Sequence, residues 1–103
     1  MKQINIAIVG LGQIGNYLYN ELITKKKDIE IKTGKKIQIV AISAKNKNKK
    51  RKFKINKKIF YKNPLDIIKL KKLDVLIEAI CFADGLSKKI VENALKNKIH
   101  VIT

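Results

Sequence analysis

Apolar residues occur in short runs that alternate with helical patterns in the first part of the chain. Ile4–Val9 is an almost wholly apolar run, and Ile37–Ile42 is a second run rich in β-branched residues. Between them, apolar residues recur every four positions from Ile14 to Leu22, which predicts an amphipathic helix reaching about residue 33 and ending at Gly34. This pattern predicts a β-α-β unit with parallel strands and a right-handed crossover.

The second half repeats the alternation of helix and strand. Asn63 as N-cap and Pro64 at the first helical position predict the start of a helix, and Asp84 predicts the cap of another. Apolar runs at Val75–Ile80 and Ile99–Thr103 predict two further strands. The expected fold is α/β, with a doubly wound, mostly parallel sheet and helices on both faces.

A strongly basic segment separates the two halves. Between Lys45 and Lys58 there are nine basic residues, three asparagines and no acid. This composition cannot bury itself and predicts a solvated loop. The short apolar run at Lys58–Tyr61 predicts an edge strand after the loop.

Length and composition limit the chain to a single domain. With 103 residues, of which 46% are hydrophobic, the whole of 1–103 is expected to form one packed unit. Its apolar runs are too short for a membrane span, and its start does not resemble a signal peptide, so we expect a cytoplasmic protein. The single cysteine, Cys81, excludes an internal disulfide.

The net charge of +16 raises the question of a nucleic-acid partner. All but one of the 24 basic residues are lysines, and aromatic residues make up only 6%. Sequence-specific readers of nucleic acids favour the forked arginine side chain and aromatic stacking, so this composition argues against such a partner. Isoleucine, lysine and asparagine are together so abundant that an AT-rich genome would explain the bias.

A glycine-rich segment, Gly10–Gly15, follows the first strand and opens the first helix with the pattern GxGxxG. Gly10 would allow the tight turn, Gly12 would let a pyrophosphate approach the backbone, and Gly15 would permit close packing of helix on strand. Strand, turn and helix in this order indicate a Rossmann-type NAD(P)-binding domain with the pyrophosphate at the helix N-terminus. The other positions of the turn, which would contribute backbone amides or packing, are Leu11, Gln13 and Ile14.

The end of the second strand usually distinguishes NAD from NADP. No Asp or Glu occurs from Lys32 to Asn63, so the carboxylate that receives the ribose hydroxyls of NAD is missing. This absence indicates NADP or relaxed use of both cofactors, with NADP favoured over NAD. Lys45 would meet the 2′-phosphate of NADP and Ser43 would donate a hydrogen bond; the alternative is that Lys45 is one solvated lysine among many. The remaining residues assigned to the cofactor site are Ala79, Ile80 and Thr103.

The residues that commonly carry out catalysis do not form a constellation here. His100 lies on or beside a strand, and Cys81 follows a strand without a base spaced to activate it. Glu78, inside an apolar strand, needs a partner or a raised pKa, and a structural role is favoured. We therefore assign no catalytic residue and no metal ligand.

Four segments together resemble the N-terminal domain of homoserine dehydrogenase: Ile6–Gly15, Ile39–Ser43, Asp74–Glu78 and Lys98–Thr103. The resemblance spans essentially the whole chain. It implies an oxidoreductase that interconverts L-homoserine and L-aspartate 4-semialdehyde with NAD(P)(H), in the biosynthesis of threonine and methionine.

The sequence also departs from that family. Lys45 stands where the family often has arginine, and Cys81–Asp84 replaces a glycine-rich turn. The sequence ends before the family's A-N-K segment and its substrate domain, so the fragment alone is expected to be inactive. The substrate would bind only with that domain, and the full enzyme is compatible with a homo-oligomer.

Other functions remain open at this point. The chain is also compatible with the first domain of another NAD(P)-dependent oxidoreductase, such as aspartate-semialdehyde dehydrogenase or dihydrodipicolinate reductase. A nucleotide-binding module without catalytic activity is a second alternative. The most distant alternative is a nucleic-acid binder that uses the basic loop, whose binding would weaken steeply with salt.

Overall fold

Parallel strands form one sheet in the computed structural model, which describes residues 2–80 and 85–102. The strands within these residues are β1 (Lys2–Val9), β2 (Lys35–Ser43), β3 (Val75–Glu78) and β4 (His100–Ile102). Their order across the sheet is β2-β1-β3-β4, and β1 pairs in parallel with both β2 and β3. The predicted parallel pairing of the first two strands is therefore confirmed. The expectations for Cys81, Asp84 and Thr103 lie outside the described residues.

Helices cover both faces of this sheet. They are α1 (Gln13–Thr24), α2 (Lys26–Thr33), α3 (Pro64–Ile68) and α4 (Gly85–Lys96). Successive side chains of a strand point to opposite faces. Accordingly, Ile8 belongs to the apolar cluster that includes Tyr19 of α1, whereas Val9 belongs to the cluster that includes Ile90 of α4. The doubly wound α/β fold expected from the sequence is confirmed.

The first helical segment is divided, which corrects the prediction of one helix to about residue 33. α1 ends at Thr24, and Lys25 leaves the helical region with φ −102° and ψ 15°. The Thr24 hydroxyl donates to the carbonyl oxygen of Asn20 at 3.0 Å, a local contact that bends helices. The expected end at Gly34 is confirmed, with φ 69° in the left-handed region.

Two predicted strand boundaries also differ from the structure. The segment predicted as an edge strand, Lys58–Tyr61, begins within a 3₁₀ turn at Lys57–Ile59 and contacts the sheet through a single bridge between Phe60 and Ile42. β3 ends at Glu78 and not at Ile80, and beyond this end the Glu78 Oε1 accepts a hydrogen bond from the backbone N–H of Ile80 at 2.9 Å.

Candidate functional site: a cationic groove at the glycine-rich turn

The turn between β1 and α1 brings three chain segments together. Gly10 has φ 102°, in a region that L-residues with side chains rarely adopt, and its N–H donates to the carbonyl oxygen of Ser43 at 2.8 Å. A Cβ at Gly10 would lie 2.7 Å from the carbonyl carbon of Ala79. Gly10 is therefore required where the ends of β1, β2 and β3 meet.

Gly15 and Gly12 differ in what surrounds them. A Cβ at Gly15 would overlap the carbonyl oxygen of Gly10 and lie 2.9 Å from its carbonyl carbon, so this glycine allows α1 to pack on the end of β1. A Cβ at Gly12 would meet nothing within 4 Å. The protein's own packing thus accounts for Gly10 and Gly15, whereas Gly12 borders open space.

Gly12 is also the residue from which α1 starts. It occupies the N-cap position with φ −70° and ψ −162°, and its carbonyl oxygen accepts the N–H of Asn16 at 2.8 Å. The first N–H groups of a helix have no partner within the helix, and they lie at the positive end of its dipole. Glycine has no side chain with which to cap them, and the first turn of α1 contains no acid. This geometry fits an anionic group such as a pyrophosphate.

A groove of about 380 Å³ opens beside this turn, along the carboxyl ends of the strands. Ligands of open α/β sheets bind at this edge, where the strand order reverses. Seven of the eleven residues assigned from the sequence to the cofactor site line the groove: Gly10, Leu11, Gly12, Ser43, Lys45, Ala79 and Ile80.

The other four assigned residues have different positions. Gln13 and Ile14 line a neighbouring cavity of about 490 Å³ between the start of α1 and the basic loop. Gly15 is buried beneath the turn. Thr103 lies outside the described residues. The structure therefore brings most of the predicted site together, in two adjoining cavities.

The groove has a positive electrostatic character. Lys45, Lys49, Arg51 and Lys62 contribute to its lining, and none of the described residues that line it is acidic. Ser43 is only 2% exposed, and its backbone carbonyl is engaged by Gly10. Phosphate groups would meet cations in the groove, and the carboxylate typical of NAD recognition does not occur among its described lining residues.

The basic loop that borders both cavities is attached to α1, a feature that the sequence analysis missed. The side chain of Asn16, only 4% exposed, donates to the carbonyl oxygen of Phe53 at 2.9 Å and accepts from its N–H at 3.0 Å. One turn further along, the hydroxyl of Tyr19 accepts from the N–H of Asn56 at 3.0 Å. The expected solvated loop does expose its lysines, but its backbone is held against the helix.

Arg51 is the second feature that sequence reasoning overlooked. Its Nε donates to the carbonyl oxygen of Leu11, inside the glycine-rich turn, at 3.2 Å. In the sequence Arg51 reads as one cation among many, and the only signal was that it is the sole arginine beside 23 lysines. A guanidinium presents a fixed fork of donors that an ammonium lacks.

The residues considered as catalytic candidates do not form a cluster in the described part of the chain. Glu78 is half-buried and bonds Ile80, which agrees with its predicted structural role. His100 is exposed on the edge strand β4. Among residues 2–80 and 85–102, no group of three His, Cys, Asp or Glu side chains could hold a metal ion. Within the same ranges, no helix is long and apolar enough to cross a membrane.

Comparison with known protein families defines the class of protein. The model of the oxidoreductase family with an NAD-binding Rossmann fold matches residues 4–103. The chain belongs to this family of NAD-binding domains.

The chain is also similar to individual homoserine dehydrogenases, in sequence and in structure. Homoserine dehydrogenase of Neisseria gonorrhoeae is 29% identical over all 103 residues, and that of Bacillus subtilis is 27% identical over the same length. The crystal structure of S. aureus homoserine dehydrogenase at pH 6.0 superposes with a TM-score of 0.88 and 30% identity over 98% of this chain. The chain spans only 23%, 24% and 26% of these three proteins, respectively.

Proposed function

We propose that this chain binds NADP or NAD in the cationic groove and forms the dinucleotide-binding portion of an enzyme of the homoserine dehydrogenase type. The observation that carries the proposal is the open space at Gly12, at the N-terminus of α1 and inside a groove lined by cations. This is the one glycine of the motif whose lack of a side chain the protein's own packing does not explain.

Residues of this chain would contact the dinucleotide at its pyrophosphate and on both sides of the groove. The first amides of α1 would donate to the pyrophosphate, which approaches over Gly12. Ser43 and Lys45, at the end of β2, would face the adenosine half, and Ala79 and Ile80 would form the opposite wall. The bound cofactor would supply the hydride that is exchanged with a carbonyl carbon of the substrate.

The charges around the end of β2 favour NADP. Lys45 and Lys62 line the groove at this point together with Lys49. A 2′-phosphate adds negative charge that such cations stabilise, whereas NAD recognition typically uses a carboxylate on the ribose hydroxyls. We therefore expect NADP to bind more tightly than NAD.

The proposed reaction is the interconversion of L-homoserine and L-aspartate 4-semialdehyde, the chemistry implied by the relatives' name. Those relatives are about four times as long as this chain, so we propose that residues outside these 103 hold the substrate against the nicotinamide. Orientation of reactants can lower a barrier by about 7–11 kcal/mol. The chain alone is therefore expected to bind cofactor without turnover.

Calorimetric titration of the chain with NADPH, NADH and duplex DNA tests the proposal. We expect NADPH to bind most tightly, NADH more weakly, and DNA only at low salt. Binding of DNA at physiological salt, with neither dinucleotide bound, would contradict the assignment.

A charge reversal at Lys45 tests the preference for NADP. Lys45→Glu should weaken NADPH binding by about tenfold or more and NADH binding much less, because the carboxylate would repel the 2′-phosphate. Lys27→Glu makes the same charge change on α2, outside the lining of the groove, and should leave the ratio of the two affinities unaltered. Equal losses for both cofactors in Lys45→Glu would reject this role.

A further inference from the structure

The guanidinium of Arg51 donates hydrogen bonds to four backbone carbonyl oxygens. One bond reaches Leu11 in the glycine-rich turn at 3.2 Å, and the others close the basic loop on itself. These loop acceptors are the carbonyl oxygens of Asn46 at 2.6 Å, Lys49 at 3.1 Å and Lys47 at 3.3 Å. A guanidinium has five N–H donors, so most of its bonding capacity is directed to the protein itself.

The loop needs such a constraint because of its charge. Lys45 to Lys58 contains nine cations and no acid, and like charges closer than about 8 Å repel each other at physiological ionic strength. Without internal contacts, a segment of this composition extends into solvent. Asn16 and Tyr19 hold its later part, at Phe53 and Asn56, and Arg51 holds its first part to the turn.

We propose that Arg51 is a positioning residue for the phosphates of the dinucleotide, and this inference rests on the proposed binding of NAD(P). Arg51 fixes the first part of the loop to the carbonyl of Leu11, so that Lys49 and Lys45 stand on the groove wall before the ligand arrives. Lysine cannot take its place, because an ammonium has three rotatable donors and no planar fork.

Two variants of the chain distinguish the positioning role of Arg51 from the effect of positive charge in the loop. Arg51→Lys keeps the positive charge and removes the fork. Lys54→Gln removes a charge from the same loop, at an exposed residue outside both cavity linings. For each variant, hydrogen exchange of the Asn48 and Lys49 amides, which donate to Asn46 in the first part of the loop, is measured in the free protein, and the Kd for NADPH is measured at low and physiological salt.

The proposal predicts a specific combination of results. In Arg51→Lys the two amides should exchange faster, and the Kd for NADPH should rise about tenfold, as expected for loss of charge-assisted hydrogen bonds. The dependence of Kd on salt should also become shallower, because the lysines are no longer held near the phosphates. Lys54→Gln should change the Kd less than about twofold.

Other results would overturn the inference. Unchanged NADPH affinity in Arg51→Lys would show that charge alone suffices, and equal losses in both variants would show that the effect is not specific to the guanidinium fork of Arg51. In either case dinucleotide binding by the unmodified chain would survive. Failure of the unmodified chain to bind NADPH and NADH would instead overturn the proposed function, and the role of Arg51 with it.

Discussion

Replacing Gly12 by alanine should separate ligand binding from folding. The added Cβ meets nothing within 4 Å, and Gly12 has φ −70°, which alanine adopts without strain. Alanine is a poorer N-cap than glycine, by about 1 kcal/mol or less, but it also lowers the entropy of the unfolded chain by about 0.4–1 kcal/mol. We therefore expect the free energy of unfolding to change by less than about 1 kcal/mol.

The same methyl group would stand where the pyrophosphate approaches α1. Hydrogen bonds from backbone amides to a charged phosphate contribute about 1.5–3 kcal/mol each. Loss or lengthening of one such bond corresponds to an increase in Kd of about tenfold to a hundredfold. NADPH and NADH should lose affinity equally, since they share the pyrophosphate.

Gly10→Ala is the matched control, because it adds the same atom two residues away. Its Cβ would lie 2.7 Å from the carbonyl carbon of Ala79, at a residue with φ 102°. Backbone strain of about 1–3 kcal/mol and overpacking of about 1–3 kcal/mol combine to about 2–6 kcal/mol. A domain of this size has only about 5–15 kcal/mol of stability, so its melting temperature should fall by about 10 °C or more.

Thermal unfolding followed by circular dichroism, and calorimetric titration with NADPH, measure the two effects separately. The expected result is a stable Gly12→Ala variant that binds weakly, beside a destabilised Gly10→Ala variant. Unchanged NADPH affinity in Gly12→Ala, or equal destabilisation in both variants, would contradict the role assigned to Gly12.

Two further predictions concern the surroundings of the site. Asn16→Ala should lower the free energy of unfolding by about 1–3 kcal/mol in chemical denaturation, because the backbone groups of Phe53 lose their partners; no change would contradict the proposed anchoring of the loop. The hydrogen bond and charge of Glu21, whose Oε2 lies 2.8 Å from Lys25 Nζ, raise the pKa of that lysine above its usual value. The stabilising contribution of the pair is therefore present at neutral pH and disappears as the pH rises through that raised pKa. Melting temperatures of Lys25→Gln and Lys27→Gln should differ at pH 7 and converge at strongly alkaline pH, and a constant difference would reject the assignment.

The sequence was informative where structure depends on neighbouring residues. The apolar runs at Ile4–Val9, Ile37–Ile42 and Val75–Ile80 predicted the strands, because a short apolar run is a local signal for a buried strand. The glycine pattern predicted a tight turn at Gly10 and close packing at Gly15, and both are present. The assignment of these residues to a cofactor stays a prediction.

The contacts of the basic loop could not be predicted in this way. Asn16 and Phe53 are 37 residues apart, and Arg51 and Leu11 are 40 apart, so no local pattern links them. The composition of the loop indicated that its lysines are exposed, but it gave no sign that the loop backbone is held against α1. The break at Lys25 was missed for a different reason, since Thr24 is tolerated in helices and only its bond to Asn20 shows the bend.

Backbone amide chemical shifts of the chain, recorded by NMR during titration with NADPH, show directly whether the dinucleotide binds at the N-terminus of α1. We expect the largest shifts at the amides of Gly12, Gln13 and Ile14, with further shifts at Ser43 and Lys45. Shifts confined to the exposed lysines of the basic loop, or no shift at the three turn amides at saturating NADPH, would contradict this expectation.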